Sequence, residues 1–344
     1  MKALVLEAYK QLVYKDVPTP VPGAGEVLVR VKACAVCGSD VHGIDGSTGR
    51  RQPPVIMGHE AAGIIEAVGE GVKAYKPGDR VTFDSTIYCG QCDMCRQGHV
   101  NLCADRRVLG VSCDDYRQDG AFAEYVLVPE RILYRLPDNV SFTQAAMVEP
   151  LAIAYHAATR TPVAQGDTVL VVGVGTIGML TVEVVRAMGV GLIIAADIDD
   201  KKLAASRAAG AAHTVNTKDP AALEAIRALT PSGRGVDIAF DAVGISDTVN
   251  LCMQATGLNG RIVLVGNLVP KVDFPLQWAV TRQLSLFGSC ASAGEYGKCL
   301  ELIATGQVDT DNMISKCVPL NEGAEWILRV YNREEGLNKI VLIP

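Results

Sequence analysis

Short apolar segments separated by turn residues fill the first 140 positions of the chain. MKALVLEA, EVLVRVKA and AFAEYVLVP are rich in valine and leucine, and Pro22-Gly23 and the KPGD sequence at 76–79 mark turns. Segments spaced this closely predict a compact, barrel-like β domain rather than alternating strands and helices. Residues 58–60 are expected to form a short helix or loop that leads into another strand, AAGIIEAVG.

The pattern becomes helical near Ser141. The alanine-rich segment SFTQAAMVEPLAIAYHAATR predicts a helix, with Ser141 as its N-cap residue. Proline lacks a backbone N–H and restricts the residue before it. We therefore expect this helix to break at Glu149 and Pro150.

From Asp167 onward, apolar strands alternate with helical segments. DTVLVVG, LIIAAD, VDIAFDAVG and RIVLVGN are unbroken apolar runs, as expected for parallel strands covered by helices on both faces. This alternation predicts an α/β fold with a doubly wound parallel sheet over residues 151–289. Two further helical segments and the strand KIVLI, in residues 290–344, are expected to return and complete the first domain, residues 1–150.

Composition excludes several classes of function. The chain has 344 residues, a formal net charge of -6 and no basic run, which argues against nucleic acid as a partner. No apolar run approaches the roughly 18–20 residues of a membrane helix, and the N-terminus lacks the apolar segment of a signal peptide. We expect a cytoplasmic protein with no membrane partner.

The cysteines point to metal rather than to disulfides. Eleven cysteines, an odd number in a long chain, do not fit a small secreted disulfide framework. Four of them lie in YCGQCDMCRQGHVNLC, inside a polar lobe (84–110) with too few apolar residues for a core of its own: Cys89, Cys92, Cys95 and Cys103. Four thiolates complete a tetrahedral zinc site that is structural. An iron–sulfur cluster is the alternative, which the small polar loop disfavours, and His99 is expected to be solvated.

A glycine-rich motif follows the strand VLVV and opens a helix. It reads GVGTIG at 173–178, and Asp197 ends the next apolar strand. This is the context of a dinucleotide site, in which glycines let the backbone approach a pyrophosphate and the helix N-terminus attracts its charge. Asp197 favours NAD over NADP because it would repel a 2′-phosphate, a preference that Lys201 and Lys202 soften. The predicted cofactor contacts are Gly173, Gly175, Thr176, Ile177, Gly178, Asp197, Lys202, Val243, Val265 and Gly266.

A second group of candidate metal ligands lies between residues 33 and 60. Cys37, His59 and Glu60 offer a thiolate, an imidazole and a carboxylate, the mixed set of a catalytic zinc site with one open position. Spacing alone leaves ordinary core or surface roles open. The neighbouring zinc lobe, the need of a nicotinamide-type domain for a polarising group, and Glu149 at the domain boundary favour the metal site.

Several motifs, taken in order, resemble one family. CGSDVHG, GHEAAG with a downstream PGDRV, CGQCDMCRQGHVNLC, EPLAIAYHA and GVGTIG are similar to the zinc-containing medium-chain dehydrogenases, and within them to the sorbitol (polyol) dehydrogenase branch. The resemblance implies a GroES-like catalytic domain, a Rossmann domain and an active site in the cleft between them. It also implies that Cys37 and His59 bind a catalytic zinc. Glu149 stands where classical alcohol dehydrogenases have a cysteine, so Glu60, Glu149 or water completes the ligand set.

The same resemblance assigns roles around the zinc. Ser39 matches the hydroxyl that binds the substrate oxygen, His42 matches the outer relay histidine, and both follow the cysteine closely enough to carry a proton. Asp40 matches the carboxylate that orients a zinc ligand. Arg282 matches a substrate-binding arginine of polyol enzymes, although a solvated helix-end arginine is an equal alternative. The region near Tyr116 is expected to line the substrate pocket.

The implied reaction is zinc- and NAD-dependent oxidation of a secondary alcohol of a polyol to a ketone, by a homodimer or homotetramer. Vicinal diols, inositol-like rings and threonine-type hydroxy acids remain alternative substrates. A zinc-stapled, NAD-binding regulatory protein without turnover is a further alternative. A zinc-free NADPH quinone reductase is disfavoured, because it would lack both cysteine sets. Arg50 and Arg51 are expected to face water rather than a substrate phosphate.

Overall fold

The chain forms two compact units in a computed structural model that describes residues 1–344 apart from the side chain of Ser232. Unit 1 comprises Met1–Glu149, Ala293–Gly306 and Thr310–Pro344. Unit 2 comprises Pro150–Ser292 and Gln307–Asp309. The chain therefore leaves unit 1 after Glu149, returns after Ser292, and passes once more through unit 2 at 307–309.

Strand residues outnumber helix residues in unit 1, and strands form the centre of unit 2. In chain order they are β1 (Lys2–Ala8), β2 (Gln11–Asp16), β3 (Glu26–Ala35), β4 (Val55–Ile56), β5 (Glu60–Val68), β6 (Arg80–Phe83), β7 (Thr86–Ile87), β8 (Arg107–Val108), β9 (Val111–Ser112), β10 (Arg117–Gln118), β11 (Tyr125–Pro129), β12 (Leu133–Arg135), β13 (Thr168–Val172), β14 (Leu192–Asp197), β15 (His213–Asn216), β16 (Val236–Asp241), β17 (Thr256–Leu264), β18 (Ser285–Gly288), β19 (Ile314–Pro319) and β20 (Lys339–Ile343).

Helices are short in unit 1 and cover the sheet of unit 2. They are α1 (Gly38–Gly43), α2 (Asp93–Arg96), α3 (Phe142–Ala146), α4 (Val148–Thr159), α5 (Thr176–Ala187), α6 (Asp200–Ala209), α7 (Ala222–Leu229), α8 (Ser246–Ala255), α9 (Leu276–Arg282), α10 (Tyr296–Ala304) and α11 (Gly323–Tyr331). Single 3₁₀ turns lie at Val100–Leu102, Glu130–Ile132, Pro231–Gly233, Asp311–Met313 and Leu320–Glu322.

The main sheet of unit 1 has the strand order β12-β6-β5-β3-β20-β19, and β11 also pairs with β3. β3 is central: it pairs with β5 along one edge and with β11 and then β20 along the other. Its alternating side chains lie in one apolar core with those of β1, β11 and β20. The C-terminal strand thus lies beside residues from the first tenth of the chain.

The sheet of unit 2 is parallel throughout, in the order β15-β14-β13-β16-β17-β18. All five residues of β13 are buried, which explains its unbroken apolar sequence. The strand order reverses between β13 and β16, where ligands of such sheets commonly bind at the carboxyl ends of the strands. The predicted α/β fold class is confirmed.

Residues 58 and 59 form a loop that leads into β5 at Glu60, in agreement with the expected short helix or loop. One local expectation was wrong. The helical segment breaks at Met147 rather than at Glu149 and Pro150. Pro150 instead lies in the first turn of α4, where its missing N–H has no intrahelical partner to lose. The sequence pattern also missed β19 and α9.

No described helix combines the length and the apolar composition required to cross a membrane.

Candidate active site

Strand pairing brings the first group of candidate ligands together. Ala35, the last residue of β3, pairs with Glu60, the first residue of β5. Cys37 follows two residues later and caps α1: its Sγ accepts the N–H of Ser39 at 3.4 Å, and its own N–H donates to the Oδ2 of Asp40 at 3.3 Å. The thiol therefore lies at the same end of the sheet as His59 and Glu60.

Cys37, His59 and Glu60 form a compact cluster in unit 1. The Sγ atom, a ring nitrogen and a carboxylate oxygen of these residues all lie within 4.8 Å of one another. His59 and Glu60 are buried and Cys37 is half-buried. One sulfur, one nitrogen and one oxygen donor fit a zinc ion that keeps an open coordination position.

Gly58 sets the approach of the chain to His59. Its φ is +91°, in the region that favours glycine, and a Cβ added there would lie 2.4 Å from Cδ1 of Phe122. Phe122 is completely buried, so its ring has no space to move aside. Glycine before the histidine is thus a requirement of the backbone.

Asp40 connects His59 to a buried arginine. The Oδ1 atom of Asp40 lies 3.5 Å from Nδ1 of His59 and accepts hydrogen bonds from Nε and Nη2 of Arg51 at 3.3 and 2.9 Å. Burial by itself would raise the pKa of Asp40, but His59 and Arg51 hold it well below its ordinary value. Burial opposes protonation of His59, yet Asp40 and Cys37 outweigh it and raise the pKa of the imidazole. Asp40 can therefore fix the orientation of this ring.

The expected exposure of Arg51 was wrong. Its side chain is only 4% exposed and is paired with Asp40, whereas Arg50 is exposed as expected. The Nη2 atom of Arg51 also donates to the Oγ of Ser39 at 3.4 Å. An arginine at this depth requires a carboxylate partner, and Asp40 supplies it.

Glu149 is the last residue of unit 1 and is buried close to the cluster. Its Oε1 accepts a hydrogen bond from the Oγ of Ser85 at 3.0 Å. Burial raises the pKa of Glu149 to about 7; the charge of His59 opposes this shift and that of Glu60 adds to it. Because Glu149 lies outside the set within 4.8 Å, Glu60 is the nearer carboxylate in this conformation.

The two candidate proton carriers lie on α1. Ser39 and His42 are three residues apart, which places them on one face of the helix, and both are exposed. The backbone N–H of Ser39 donates to the Sγ of Cys37, and the Ser39 hydroxyl accepts from Nη2 of Arg51. This arrangement leaves both side chains open to a ligand or to water.

The four lobe cysteines also converge. The Sγ atoms of Cys89, Cys92, Cys95 and Cys103 lie within 4.8 Å of one another. Those of Cys89 and Cys95 are 4.0 Å apart, close to the ~3.8 Å edge that Zn–S bonds of about 2.3 Å give a tetrahedron. Backbone N–H groups of residues 91 and 92 point at the sulfur of Cys89, at 3.5 and 3.3 Å. Four sulfur donors fit a closed, structural zinc site.

The thiols of Cys92 and Cys95 differ in how readily they lose a proton. N–H groups of Cys95 and Ala104 lower the pKa of Cys92 to about 6. Burial, together with the neighbouring thiols, raises the pKa of Cys95 to about 12. Four thiolates cannot coexist at this distance without positive charge between them, which a metal ion provides.

In unit 2 the glycine-rich motif lies where β13 ends and α5 begins. A Cβ at Gly178 would lie 1.8 Å from the carbonyl oxygen of Gly173, so this contact needs glycine. A Cβ at Gly175, the N-cap residue, would meet nothing within 4 Å, and no side chain caps the helix. The free N–H groups of α5 and the open space at Gly175 fit a pyrophosphate.

Asp197 ends β14 beside this loop. Its Oδ2 accepts the N–H of Val174 at 2.8 Å, and its Oδ1 accepts the N–H of Asp199 at 3.0 Å. Thr176 and Ile177 form the first turn of α5, and Lys202 is an exposed residue of α6. The two hydrogen bonds of Asp197 fix its carboxylate beside the glycine-rich loop.

The remaining predicted cofactor contacts close the other side of the loop. Val243 and Gly266 follow β16 and β17, and a Cβ at Gly173 would lie 2.2 Å from Cγ2 of Val243. The N–H groups of Val265 and Gly266 both donate to the carbonyl of Asp241 at 2.9 Å. The structure thus gathers the ends of β13, β16 and β17 at one place.

The two predicted substrate residues have partners within their own units. The Oη of Tyr116 accepts the N–H of Val108 at 3.1 Å. The guanidinium of Arg282 lies 3.9 Å from the ring centre of Trp278, and its Nη1 donates to the carbonyl of Thr256 at 3.2 Å. Arg282 ends α9, as the helix-end alternative describes.

Sequence reasoning missed three buried partners of the cluster: Arg51, Ser85 and Lys339. Ser85 and Arg51 lie in polar loops that carry no periodic pattern. Lys339 is separated from Glu60 by 279 positions, and its strand reads only as apolar. A charged residue at the edge of an apolar strand was the one available signal.

Comparisons with known proteins agree over the whole chain. The alcohol dehydrogenase GroES-like domain family matches residues 23–138, and the zinc-binding dehydrogenase family matches residues 176–305. Sorbitol dehydrogenase of Bacillus subtilis is 32% identical over 100% of this chain and 97% of its own length. L-idonate 5-dehydrogenase of Vitis vinifera is 35% identical over 86% of this chain and 81% of its own length.

A solved structure gives the same result for the fold. A zinc-binding dehydrogenase of Sinorhizobium meliloti 1021, bound to NADP, superposes with a TM-score of 0.92 at 33% identity and covers 100% of this chain and 99% of its own. The GroES-like and Rossmann assignments are confirmed. The chain is an oxidoreductase that belongs to the zinc-containing medium-chain dehydrogenase/reductase family, in its polyol dehydrogenase branch.

Proposed function

We propose that this chain oxidises a secondary alcohol group of a polyol to a ketone, with unit 1 as the catalytic domain and unit 2 as the NAD-binding domain. The observation that carries the proposal is the cluster of Cys37, His59 and Glu60 in the same chain as an uncapped dinucleotide loop. In this proposal the lobe at 84–110 holds a second, structural zinc.

Cys37 and His59 would hold the catalytic zinc, with Glu60 and Glu149 as the available carboxylates. When bound, zinc supplies a Lewis acid that makes an alcohol hydroxyl more acidic, and NAD supplies the acceptor for a hydride. Asp40 orients His59 through its contact with Nδ1.

Ser39 and His42 move the proton. Ser39 follows Cys37 by two residues and its exposed hydroxyl can take the alcohol proton, and the exposed imidazole of His42 on the same face of α1 can pass it to water. The buried guanidinium of Arg51, 3.4 Å from the Oγ of Ser39, limits where this hydroxyl can point.

Asp197 supports NAD as the preferred cofactor. Its buried carboxylate at the glycine loop suits two ribose hydroxyls and would repel a 2′-phosphate. A relative of the same fold binds NADP, so the fold by itself does not exclude that nucleotide, and we assign the choice of NAD in this chain to Asp197.

Sugar alcohols are the substrate class that we propose. The support comes from a relative named for sorbitol, which is a sugar alcohol. L-idonate, for which a second relative is named, is a sugar acid with the same kind of secondary hydroxyl group. Other secondary alcohols differ in the number of neighbouring hydroxyls, so a panel of hexitols, pentitols, butanediol, an inositol and threonine discriminates among them. Formation of NADH, followed by absorbance, is the readout.

The decisive variant is Cys37→Ala. We expect about one zinc per chain to be lost, oxidation to fall by at least about a thousandfold, and the lobe zinc to remain. Cys317→Ala removes an exposed thiol of unit 1 and serves as the matched control. Normal turnover by a zinc-depleted Cys37→Ala protein would refute the proposed site.

We also infer a homo-oligomer that forms at the edge of unit 2. β18 is the last strand of its sheet, and the segment that connects β17 to β18 has exposed apolar side chains: Leu268, Val272, Phe274, Leu276 and Val280. Light scattering on the purified protein distinguishes a monomer from a dimer or tetramer. A charged substitution, Leu276→Glu, is expected to dissociate the assembly.

A cytoplasmic location suits cysteines that form no disulfide among the described residues, since a reducing compartment keeps such clusters available for metal. Fractionation of cells that express the untagged chain tests this.

A further inference from the structure

Asp241 is a completely buried carboxylate that neither the candidate metal cluster nor the proposed proton path uses. It is the last residue of β16 and is 0% exposed. Its Oδ1 accepts the N–H groups of Val243 and Gly244 at 3.0 and 3.2 Å, and its Oδ2 accepts the same N–H of Gly244 at 3.1 Å. Burial raises the pKa of Asp241, and these N–H groups oppose the shift because they stabilise the charged form. The side chain of Asp241 thus fixes the turn that follows β16.

The main-chain oxygen of Asp241 holds a second turn. It accepts the N–H groups of Val265 and Gly266, each at 2.9 Å. These two residues follow β17, which runs parallel to β16 and pairs Leu264 with Asp241. One residue therefore sets the turns after two adjacent strands, the first through its side chain and the second through its backbone.

The two turns leave each other no room to shift. The φ of Gly244 is +82°, and a Cβ added there would lie 2.3 Å from the carbonyl carbon of Gly266. On the other side, a Cβ at Gly173 in the glycine-rich loop would lie 2.2 Å from Cγ2 of Val243. Because closely packed groups transmit displacement, movement of the turn after β16 would disturb Gly173 and Gly266 as well.

The order of the sheet places these turns on one side of the glycine-rich loop. Neighbouring strands run β14-β13-β16-β17, and adjacent strands lie about 4.8 Å apart. Asp197 ends β14, the glycine-rich loop follows β13, and the turns set by Asp241 follow β16 and β17. With the adenosine ribose on Asp197 and the pyrophosphate on the glycine-rich loop, the nicotinamide half of the cofactor would extend over residues 243–244 and 265–266.

We propose that Asp241 is a positioning residue that sets the turns at 243–244 and 265–266 for the nicotinamide half of the dinucleotide. The inference rests on the proposed cofactor role of unit 2. Asp241 is too deeply buried to touch the cofactor, so it acts through the residues that it holds. Asparagine at this position would keep the shape but replace one acceptor oxygen by an NH₂ group, which cannot accept an N–H. A buried N–H that loses its acceptor costs free energy, so the turn would move.

Isothermal titration calorimetry on the full chain tests this with two ligands. NADH carries both halves of the dinucleotide, whereas ADP carries the adenosine and the pyrophosphate alone. Asp241→Asn should raise the Kd for NADH at least about tenfold and the Kd for ADP less than about twofold. Asp237→Asn is the matched control, because Asp237 is an exposed aspartate of the same strand whose Oδ2 accepts the N–H of Thr168 at 2.7 Å. The control should leave both Kd values within about twofold of the parent values.

Each outcome decides. A selective loss of affinity for NADH supports the inference. A loss shared equally by NADH and ADP overturns it, because general damage to unit 2 would weaken the binding of both ligands, and an unchanged Kd for NADH overturns it too. If Asp241→Asn does not fold, hydrogen exchange in the parent chain decides: exchange of the Val243 and Gly244 amides should slow on binding of NADH and not of ADP. An equal response to both ligands, or none, overturns the inference.

Failure of the proposed function gives a different result. If the parent chain binds neither NADH nor ADP, the cofactor role of unit 2 is itself wrong and the inference falls with it. If the parent binds NADH and Asp241→Asn shows no selective loss, only the role of Asp241 is wrong. Metal analysis of the same samples is a further check, since Asp241 lies in unit 2 and the variant should retain the parent amount of zinc.

Discussion

Replacement of Arg51 by methionine should destabilise unit 1 by leaving Asp40 buried without its cation. Nε and Nη2 of Arg51 both donate to Oδ1 of Asp40, and the two side chains are 4% and 0% exposed. The arginine stem packs beneath α1, where a Cβ at Gly43 would lie 2.4 Å from its Cγ. Methionine retains much of this apolar stem and removes the charge.

The magnitude follows from the burial of the pair. Removal of one partner from a buried ion pair costs about 3–5 kcal/mol, because the remaining charge loses its compensation. His59, 3.5 Å from Asp40, remains as a partial partner, so a loss near the lower end, about 3 kcal/mol, is expected. Arg51→Met combined with Asp40→Asn removes both charges, and the coupling between the two changes should be about 2 kcal/mol.

Tryptophan fluorescence isolates the unit concerned. The chain has two tryptophans, Trp278 in unit 2 and Trp326 in unit 1. A Trp278→Phe background therefore reports the unfolding of unit 1 by denaturant through Trp326. Metal-free protein should be used, since bound zinc would add its own stabilisation. Arg50→Met, an adjacent exposed arginine with the same charge change, is the control and should cost less than about 0.5 kcal/mol.

Acid should reduce the difference between parent and variant. Because Arg51 and His59 keep the pKa of Asp40 below its ordinary value, the stabilisation is complete above the usual carboxyl pKa of about 3.9. It is lost as the pH falls through the depressed value of the folded state. The reasoning would be refuted if the free energy of unfolding of Arg51→Met lay within about 1 kcal/mol of that of Arg50→Met at neutral pH. A buried carboxylate that has lost its cation should destabilise the folded state by more than this.

Two further predictions concern unit 2. Asp197→Ser should raise kcat/KM for NADP relative to NAD by at least about tenfold, because the repulsion of a 2′-phosphate is removed; an unchanged ratio in steady-state assays would contradict the proposed role. Burial raises the pKa of Glu183, which accepts the N–H of Asp309 at 2.7 Å, to about 7. The folded state thus binds this proton more tightly than the unfolded state does, and the stability of unit 2 should fall as the pH rises from about 4.5 to 7. Glu183→Gln should flatten this slope in urea unfolding, monitored by Trp278 fluorescence in a Trp326→Phe background.

The two motifs that are local in sequence were predictable because their geometry is local. Cys89, Cys92 and Cys95 are three residues apart on one loop, so a single turn of chain brings their sulfurs together. The glycine loop and Asp197 belong to consecutive strand–helix units, whose parallel strands place their carboxyl ends at one edge. The buried strands of unit 2 were also predictable from local sequence, because burial on both faces of a sheet requires an unbroken apolar run.

The candidate cluster of Cys37, His59 and Glu60 was only partly predictable. The sequence presents Cys37, His59 and Glu60 as ligand types, but their convergence depends on the pairing of β3 with β5. The break in the helix at Met147 rather than Pro150 illustrates the same limit, because proline is compatible with the first turn of a helix. A local pattern limits which residues can be ligands and where a helix can break, but more than one structure remains compatible with it.

The sequence by itself determined the α/β class, the strands of unit 2, the glycine loop and the types of candidate ligand in both cysteine clusters, because each depends on neighbours within one element or one turn. Only the tertiary structure decided which charges the cluster keeps. Arg51 lies in a polar loop that reads as solvated, yet it is buried on Asp40. Lys339 reaches Glu60 across 279 positions, since the sheet places β20 beside the same end of β3 as β5. The order of the strands in the sheet determines which buried charges pair. The hydrophobic pattern within a strand does not indicate which other strand will lie beside it.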